Sequence, residues 1–396
     1  MRLNKRAACL VVGLAIVAGC GVKPHPSPHE QGSKQWNDAR AGILGTLAAD
    51  QYKNGNFEKC EESLGEALRL APDNVNLHIL AAKLNIEQGK LEPAESQLAV
   101  AGKLDPKNPE VDYLHGVVLQ RWQQPQKAYE AYDAAVQKNP QELAYLMAKS
   151  EMLVALDRTD EALALLQAKV VYFEHSAAIR DAVGQLLVEQ GKYTEGAAML
   201  REASILASDD QTIREHLGFA LYFAKQYAEA AEVFTRLVKT EERAKRADIF
   251  AALGECQCQM GQLRQARQSL ASATQIDQGS CGYWLALGRI TSQLGDLPRA
   301  EIAARKALSL EPANGEAHCL IGYVRLREGK LPQSLSAFRM ASQLDASDAV
   351  SVTMQGYVLQ KMGKHDEAVQ LYAKALRMKP GDELANRLMA SVNVNE

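Results

Sequence analysis

The chain has 396 residues, of which 47% are apolar but only 6% are aromatic, and its formal net charge is −3. A protein that neutralises nucleic-acid phosphates needs a surplus of basic side chains, so this balance argues against nucleic acid as a partner. Many small apolar residues with few aromatic ones favour numerous alanine and leucine helix contacts over one large core.

Residues 1–20 have the pattern of a targeting segment. Three basic residues lie within the first six, and the apolar run Ala7–Ala18 that follows is too short to cross a bilayer of about 30 Å as a helix. The run ends in Val17-Ala18-Gly19-Cys20, which resembles the lipobox of bacterial lipoproteins. This resemblance implies cleavage before Cys20 and attachment of diacylglycerol to its sulfur. An ordinary secretory signal with an incidental cysteine is the alternative.

Residues 21–40 are predicted to form a tether, because Gly21–Lys34 is polar, contains three prolines and shows no periodicity. Proline-rich segments extend at about 3.1 Å per residue, so the tether would hold the rest of the chain away from the membrane. Gly21, rather than an aspartate, follows Cys20, which in enteric-type sorting favours the outer membrane. We therefore expect a lipid-anchored protein of the bacterial cell envelope that faces the periplasm.

From Ala41 onward the sequence repeats with a period of 34 residues over ten blocks, with one two-residue slip. When each block is numbered from 1, with Ala41 first, positions 8 and 20 are small in every block and position 27 is alanine in eight. Helices approach closely only where the crossing side chains are small. Positions 8 and 20 therefore predict contact between a first and a second helix, and position 27 predicts contact with the next block. A fixed period of this length indicates stacked repeats.

The ends of the helices are equally regular. Position 15 is glycine in seven blocks, which predicts a left-handed residue at the end of the first helix. Position 32 is proline in five blocks, which predicts the end of the second helix. The fourth and sixth blocks depart at position 27, with Lys169 and Leu237, and the slip at Glu241–Lys245 follows the sixth. We expect distorted stacking at these places.

These positions resemble the tetratricopeptide repeat family, whose pattern is W-x2-L-G-x2-Y, then A-x3-F, then alanine and proline. The block that follows the pattern most closely contains Trp284, Leu287, Gly288, Ala300, Ala307 and Pro312. The resemblance covers residues 41–382. It implies an all-α fold, a superhelical solenoid of about ten helix-turn-helix repeats, with residues 383–396 as a C-terminal capping helix.

No catalytic or cofactor motif accompanies the repeats. The sequence contains no H-E-x-x-H, no G-x-S-x-G, no phosphate loop and no dinucleotide-binding glycine turn. The seven cysteines are scattered, and Cys256 and Cys258, two apart on a helix, point to nearly opposite faces. We predict a non-enzymatic protein without a cofactor or a metal site.

Function is therefore expected on a surface. In the tetratricopeptide family, positions 2, 5, 9 and 12 of the first helices line a concave groove that holds a partner's peptide or helix. The residues assigned to this groove here are Tyr113, Glu151, Asp181, Glu215, Phe219, Tyr222, Asp248, Glu255, Arg289, Tyr323 and Tyr357. Aromatic groups supply contact area at low entropic cost, and an acidic face favours ligands of opposite sign. We predict a basic or amide-rich partner segment; a solvated face, with the partner bound elsewhere, is the alternative.

A lipid anchor joined to such repeats resembles the tetratricopeptide lipoproteins of pilus assembly and those linked to envelope proteases. The resemblance implies a membrane-anchored scaffold that binds protein partners and supports assembly of an envelope complex of pilus or secretion type. Two alternatives stay open: an accessory subunit that recruits substrate to an envelope protease or transferase, and a secreted adaptor without lipid. The oligomeric state is not predicted.

Overall fold

A computed structural model of the chain describes residues 28–393, with side chains described from residue 32 to residue 392. Residues 1–20, which are predicted to be a targeting segment and include Cys20, and residues 21–27 lie outside the described residues. Regular secondary structure in the described range is entirely helical. The α-helices are α1 (Pro28–Lys53), α2 (Phe57–Leu70), α3 (Val75–Glu87), α4 (Leu91–Leu104), α5 (Pro109–Arg121), α6 (Pro125–Lys138), α7 (Leu143–Ala155), α8 (Thr159–Val170), α9 (Ala177–Glu189), α10 (Tyr193–Leu206), α11 (Gln211–Phe223), α12 (Tyr227–Leu237), α13 (Ala247–Gln259), α14 (Leu263–Ile276), α15 (Cys281–Gln293), α16 (Leu297–Leu310), α17 (Gly315–Arg327), α18 (Leu331–Leu344), α19 (Ala349–Lys361), α20 (His365–Met378) and α21 (Glu383–Asn393).

The chain divides into two compact units, Met1–Asp157 and Arg158–Glu396. In the described part of the first unit, α1 packs against α2, α3 against α4, and α5 against α6. In the second unit, each odd-numbered helix from α9 to α19 packs in the same way against the even-numbered helix that follows it. The predicted all-α fold of repeated helix-turn-helix pairs is confirmed.

The two helices of a pair approach most closely at positions 8 and 20, as predicted. A Cβ atom added to Gly196 would lie 2.9 Å from the carbonyl oxygen of Gly184 on the facing helix. A Cβ atom added to Gly218 would lie 2.8 Å from the ring of Phe234, which is fully buried. Real Cβ atoms do not approach this closely in a packed interior, so Gly196 and Gly218 must be glycine for their helices to pack as they do.

The turn between the helices of a pair uses a left-handed residue at position 15, also as predicted. All seven glycines at this position have φ angles between +73° and +79°. In the three blocks without a glycine there, Gln123, Asp157 and Lys225 take up the same conformation, with φ of +58° or +59°. The turn geometry is therefore kept even where a side chain makes it unfavourable.

The connections that follow the fourth and sixth blocks are irregular, whereas the distorted stacking expected there stays a prediction. A 3-10 turn, Val171–Phe173, follows α8, and a second 3-10 turn, Arg243–Lys245, follows α12. The helix α12 has 11 residues, whereas α10 and α14 have 14 each. The second 3-10 turn lies where the two-residue slip interrupts the repeat, so the extra residues are absorbed between α12 and α13.

Both ends of the described chain are helical. The helix α1 starts at Pro28, so residues 28–40, predicted as tether, extend the first helix by 13 residues. Proline suits the first turn of a helix, where its missing N–H is not needed, and this explains the start. At the other end, α21 packs on α19 and α20. No helix in residues 28–393 combines the length and the apolar character that crossing a membrane requires.

Candidate protein-binding face

The eleven residues predicted to line a groove all lie on odd-numbered helices, from α5 to α19. Within each unit, we call the surface formed by positions 2, 5, 9 and 12 of these helices the first-helix face of that unit. Of the eleven, Glu151 and Arg289 are exposed and the other nine are half-buried. Contacts along this face join neighbouring odd-numbered helices within each unit. Lys83 on α3 pairs with Glu110 on α5 at 2.5 Å, and Arg289 on α15 pairs with Glu316 on α17.

In the first unit, the aromatic member of the face belongs to a cluster of tyrosines. The ring of Tyr113 lies 5.6 Å from that of Tyr132 and 4.9 Å from that of Tyr145, measured between ring centroids. Burial raises the pKa of Tyr113, and the negative charge of Glu151 raises it further. Tyr113 therefore packs α5 against its neighbours and leaves only part of its ring on the surface.

In the second unit, two aromatic residues of the face are supported from behind. Phe219 packs edge-on against Phe234, and Tyr323 packs edge-on against Phe338, each with ring centroids 5.2 Å apart. Phe234 and Phe338 are fully buried at position 24 of their blocks. Burial raises the pKa of Tyr323 to about 12. These rings are held in place before any partner arrives, so binding against them would cost little side-chain entropy.

Two of the predicted acidic residues are neutralised within the chain. Glu215, whose side chain is only 13% exposed, accepts hydrogen bonds from Arg243 at 3.2 Å and from Arg246 at 2.9 Å. Arg246 also donates two hydrogen bonds to the carboxylate of Asp248, at 2.9 and 2.6 Å. Both arginines come from the insertion between α12 and α13. The repeat pattern marks this segment as irregular, but it does not specify that its arginines pair with the acidic residues.

The remaining acidic residues of the second unit have polar partners of a different kind. Asp181 on α9 lies 2.8 Å from the Nδ1 atom of His216 on α11, and it also accepts a hydrogen bond from Gln185. The hydrogen bond between His216 and Asp181 raises the pKa of His216, whereas burial lowers it. Glu255 on α13 accepts a hydrogen bond from the neutral amide of Gln259 at 2.8 Å. That contact leaves the charge of Glu255 uncompensated.

The first-helix face contains a cavity of about 350 Å³ between α13 and α15. Three of the predicted residues line it: Tyr222, Asp248 and Glu255. Tyr283 of α15 also lines it and was not predicted, although it stands next to position 2 in a block whose position 2 is the glycine Gly282. Glycine also occupies position 2 of the first block, at Gly42, so a small residue at this position does not by itself locate a cavity.

The described part of the chain contains neither a cluster of metal ligands nor a disulfide bond. Between residues 28 and 393, no group of three or more histidine, cysteine, aspartate or glutamate side chains has a geometry that could hold a metal ion. The five cysteines in this range are free thiols: Cys60, Cys256, Cys258, Cys281 and Cys319. Burial raises the pKa of Cys256 to about 12, in agreement with a packing role.

The fold and its face define a class of protein, the helical-repeat proteins that present one surface of stacked helix pairs. Three family models match the chain. Two are described as tetratricopeptide repeat, over residues 51–117 and 113–170, and the third is the C-terminal domain of cilia and flagella-associated protein 70, over residues 211–396. These matches and the helix pairs support the tetratricopeptide repeat family for this chain.

More distant similarities were also found. The BBSome complex member BBS4 of Bos taurus is 21% identical over 222 residues, which is 56% of this chain but only 42% of that protein. Among solved structures, the APC/C hetero-tetramer Cut9–Hcn1 is 12% identical with a TM-score of 0.46 over 90% of both chains. The thermophilic protein TTC0263 of Thermus thermophilus is 21% identical with a TM-score of 0.39, over 47% of this chain and 100% of that one.

Proposed function

We propose that this protein is a scaffold that binds a protein partner along the first-helix face of its second unit. The observation that carries the proposal is the row of half-buried aromatic side chains on this face, which includes Phe219, Tyr222 and Tyr323. Each ring is packed on one side against the chain and exposed on the other. Rigid aromatic groups of this kind are enriched among residues that dominate binding energy.

The proposed partner segment is basic or polar. The charge of Glu255 is not offset by its hydrogen-bond donor Gln259, which is a neutral amide. Glu215 and Asp248 already pair with arginines, so they are less available to a ligand. Charge–charge attraction is therefore expected to be centred on Glu255 instead of spread along the face.

We further propose that the scaffold is anchored to a bacterial envelope membrane through lipid on Cys20 and supports assembly of an envelope complex there. This part rests on the sequence pattern that ends in Val17-Ala18-Gly19-Cys20 and on the proline-rich residues after it. Two acyl chains on one protein give stable anchoring, since each buried methylene contributes about 0.8 kcal/mol.

Site-specific photo-cross-linking tests the proposed binding face. A photoreactive phenylalanine analogue is placed at Phe219 or Tyr323 on the face, and at the exposed positions Gln268 and Ser336 on even-numbered helices as matched controls. The proposal predicts that the same partner is cross-linked from both positions of the face and from neither control. Cross-linking that occurs only from the controls would overturn it.

A further inference from the structure

We propose that the cavity between α13 and α15 binds the side chain of a lysine or arginine that projects from the partner segment. This inference rests on the proposed function, because it names the group that the first-helix face would recognise. It is argued from the shape of the cavity, from the rings that line it and from the balance of charge around it.

The shape of the cavity follows from three small residues. Ala251 on α13 and Gly282 and Ala286 on α15 occupy positions where other repeats carry larger side chains, such as Met147 and Glu316. Below them, α13 and α14 supply an apolar floor. The volume of about 350 Å³ lies at the small end of the range for ligand pockets, which suits one side chain better than a whole small molecule.

Two tyrosines and two carboxylates line the cavity. Burial raises the pKa of Tyr222, and the charge of Glu255 raises it further. Burial likewise raises the pKa of Tyr283; the charges of Asp248 and Asp277 raise it further, and the charge of Arg246 lowers it. An apolar floor, aromatic rings and a nearby carboxylate together match the methylene stem and the cationic head of a lysine or arginine.

The charge balance favours a cation over an anion. Two carboxylates, those of Asp248 and Glu255, line the cavity, and its lining residues include no basic side chain. Arg246 already donates hydrogen bonds to Glu215 and Asp248, so it is a poor receptor for an acidic ligand. An incoming cation would pair with Glu255, whose hydrogen-bond donor Gln259 carries no charge.

Peptide binding to the full chain, followed by NMR of its labelled tyrosine rings, tests the inference. The probes are three pentapeptides with alanine at every position except the centre, which carries arginine, lysine or citrulline, a neutral isostere of arginine. We expect the arginine and lysine peptides to shift the ring signals of Tyr222 and Tyr283 and to bind about tenfold more tightly than the citrulline peptide. Equal binding of the arginine and citrulline peptides would overturn the inference.

Two substitutions locate the binding in the cavity. Gly282→Leu fills it, and the new side chain has room, because the nearest atom to an added Cβ is the Ser280 hydroxyl at 3.9 Å. The matched control is Gly42→Leu, at the same block position, where an added Cβ meets nothing within 4 Å. We expect Gly282→Leu to abolish binding of the arginine peptide and Gly42→Leu to leave it unchanged. Full binding by Gly282→Leu would place the site elsewhere and overturn the inference.

The cross-linking described above separates this inference from the proposed function. If Gly282→Leu still cross-links the partner from Tyr323 with unchanged yield and affinity, the cavity has no part in recognition and only this inference fails. If the charged peptides bind the cavity but no partner is cross-linked from the face, the inference stands as a cation site and the scaffold proposal fails.

Discussion

Replacing Lys225 with glycine is expected to stabilise the protein. Lys225 has φ of +59° in the turn between α11 and α12, which is closed by a hydrogen bond from the Gln226 N–H to the Leu221 carbonyl at 2.9 Å. An L-residue in this conformation costs about 1–2 kcal/mol. Glycine removes that cost but loses about 0.5–1 kcal/mol more backbone entropy on folding. The free energy of unfolding should therefore rise by about 0.5–1 kcal/mol.

Two further variants isolate the backbone effect. Lys225→Ala removes the exposed side chain but keeps a Cβ atom, so it should give no such gain. Gly261→Ala, at the same position of the next repeat, should cost about 1 kcal/mol, although its added Cβ meets no atom within 4 Å. The expected cost arises from the backbone, because Gly261 has a φ of +73°, which alanine adopts unfavourably.

The assay is native-state hydrogen exchange of the amides in α11 and α12, supported by urea unfolding. Local exchange is preferred because a long repeat array need not unfold in a single step. If Lys225→Gly and Lys225→Ala stabilise equally, the gain comes from losing the lysine side chain, and the reasoning about backbone strain is refuted.

Three other predictions follow from the structure and the sequence. Gly288→Leu should cost about 1–3 kcal/mol, because a Cβ there clashes with Leu320, and amide exchange should rise first in α15 and α17; uniform loss along the chain would contradict this. The hydrogen bond to Asp181 raises the pKa of His216 in the folded state. The stability that protonated His216 contributes to the fold should therefore be fully present below its unfolded-state pKa and be lost as the pH rises through its folded-state pKa. Urea midpoints of the wild type and His216→Gln should therefore differ more at about pH 5.5 than at about pH 8, and a difference independent of pH would contradict the assignment. Cys20→Ala should leave the precursor unlipidated and change its fractionation; identical soluble fractionation of both forms would exclude the lipid anchor.

The fold could be predicted from the sequence because its determinants are local and repeated. Each diagnostic position of the repeat meets one steric requirement, which recurs from block to block. These positions are 8, 20 and 27, which are small, and 15, which is mostly glycine. The three turns with Gln123, Asp157 and Lys225 show the limit of that reading. Glutamine and lysine are not residue types that predict a left-handed turn, yet Gln123 and Lys225 adopt the same conformation as the glycines of the other blocks.

The charges of the candidate face could be predicted less well, and the reason is also physical. Glu215 and Asp248 each pair with an arginine from the segment between α12 and α13. The two-residue slip in this segment determines where Arg243 and Arg246 lie, and no repeat position specifies its conformation. The cavity has a similar origin, since it arises from side chains that are small on two successive odd-numbered helices. The sequence shows which residue occupies each position, but it does not show the space that small side chains leave between two helices.

The measurement that most directly tests the central claim is a comparison of binding affinities. The partner that cross-linking identifies is purified in its free form, and its affinity is measured for two charge-reversed variants of this protein. Glu255→Lys reverses a charge on the first-helix face, and Glu232→Lys reverses an exposed charge on the even-numbered helix α12. The account predicts at least about a tenfold loss of affinity, or about 1.4 kcal/mol, for Glu255→Lys and no loss for Glu232→Lys at low salt. Unchanged affinity of Glu255→Lys, with a loss for Glu232→Lys, would contradict binding at the first-helix face.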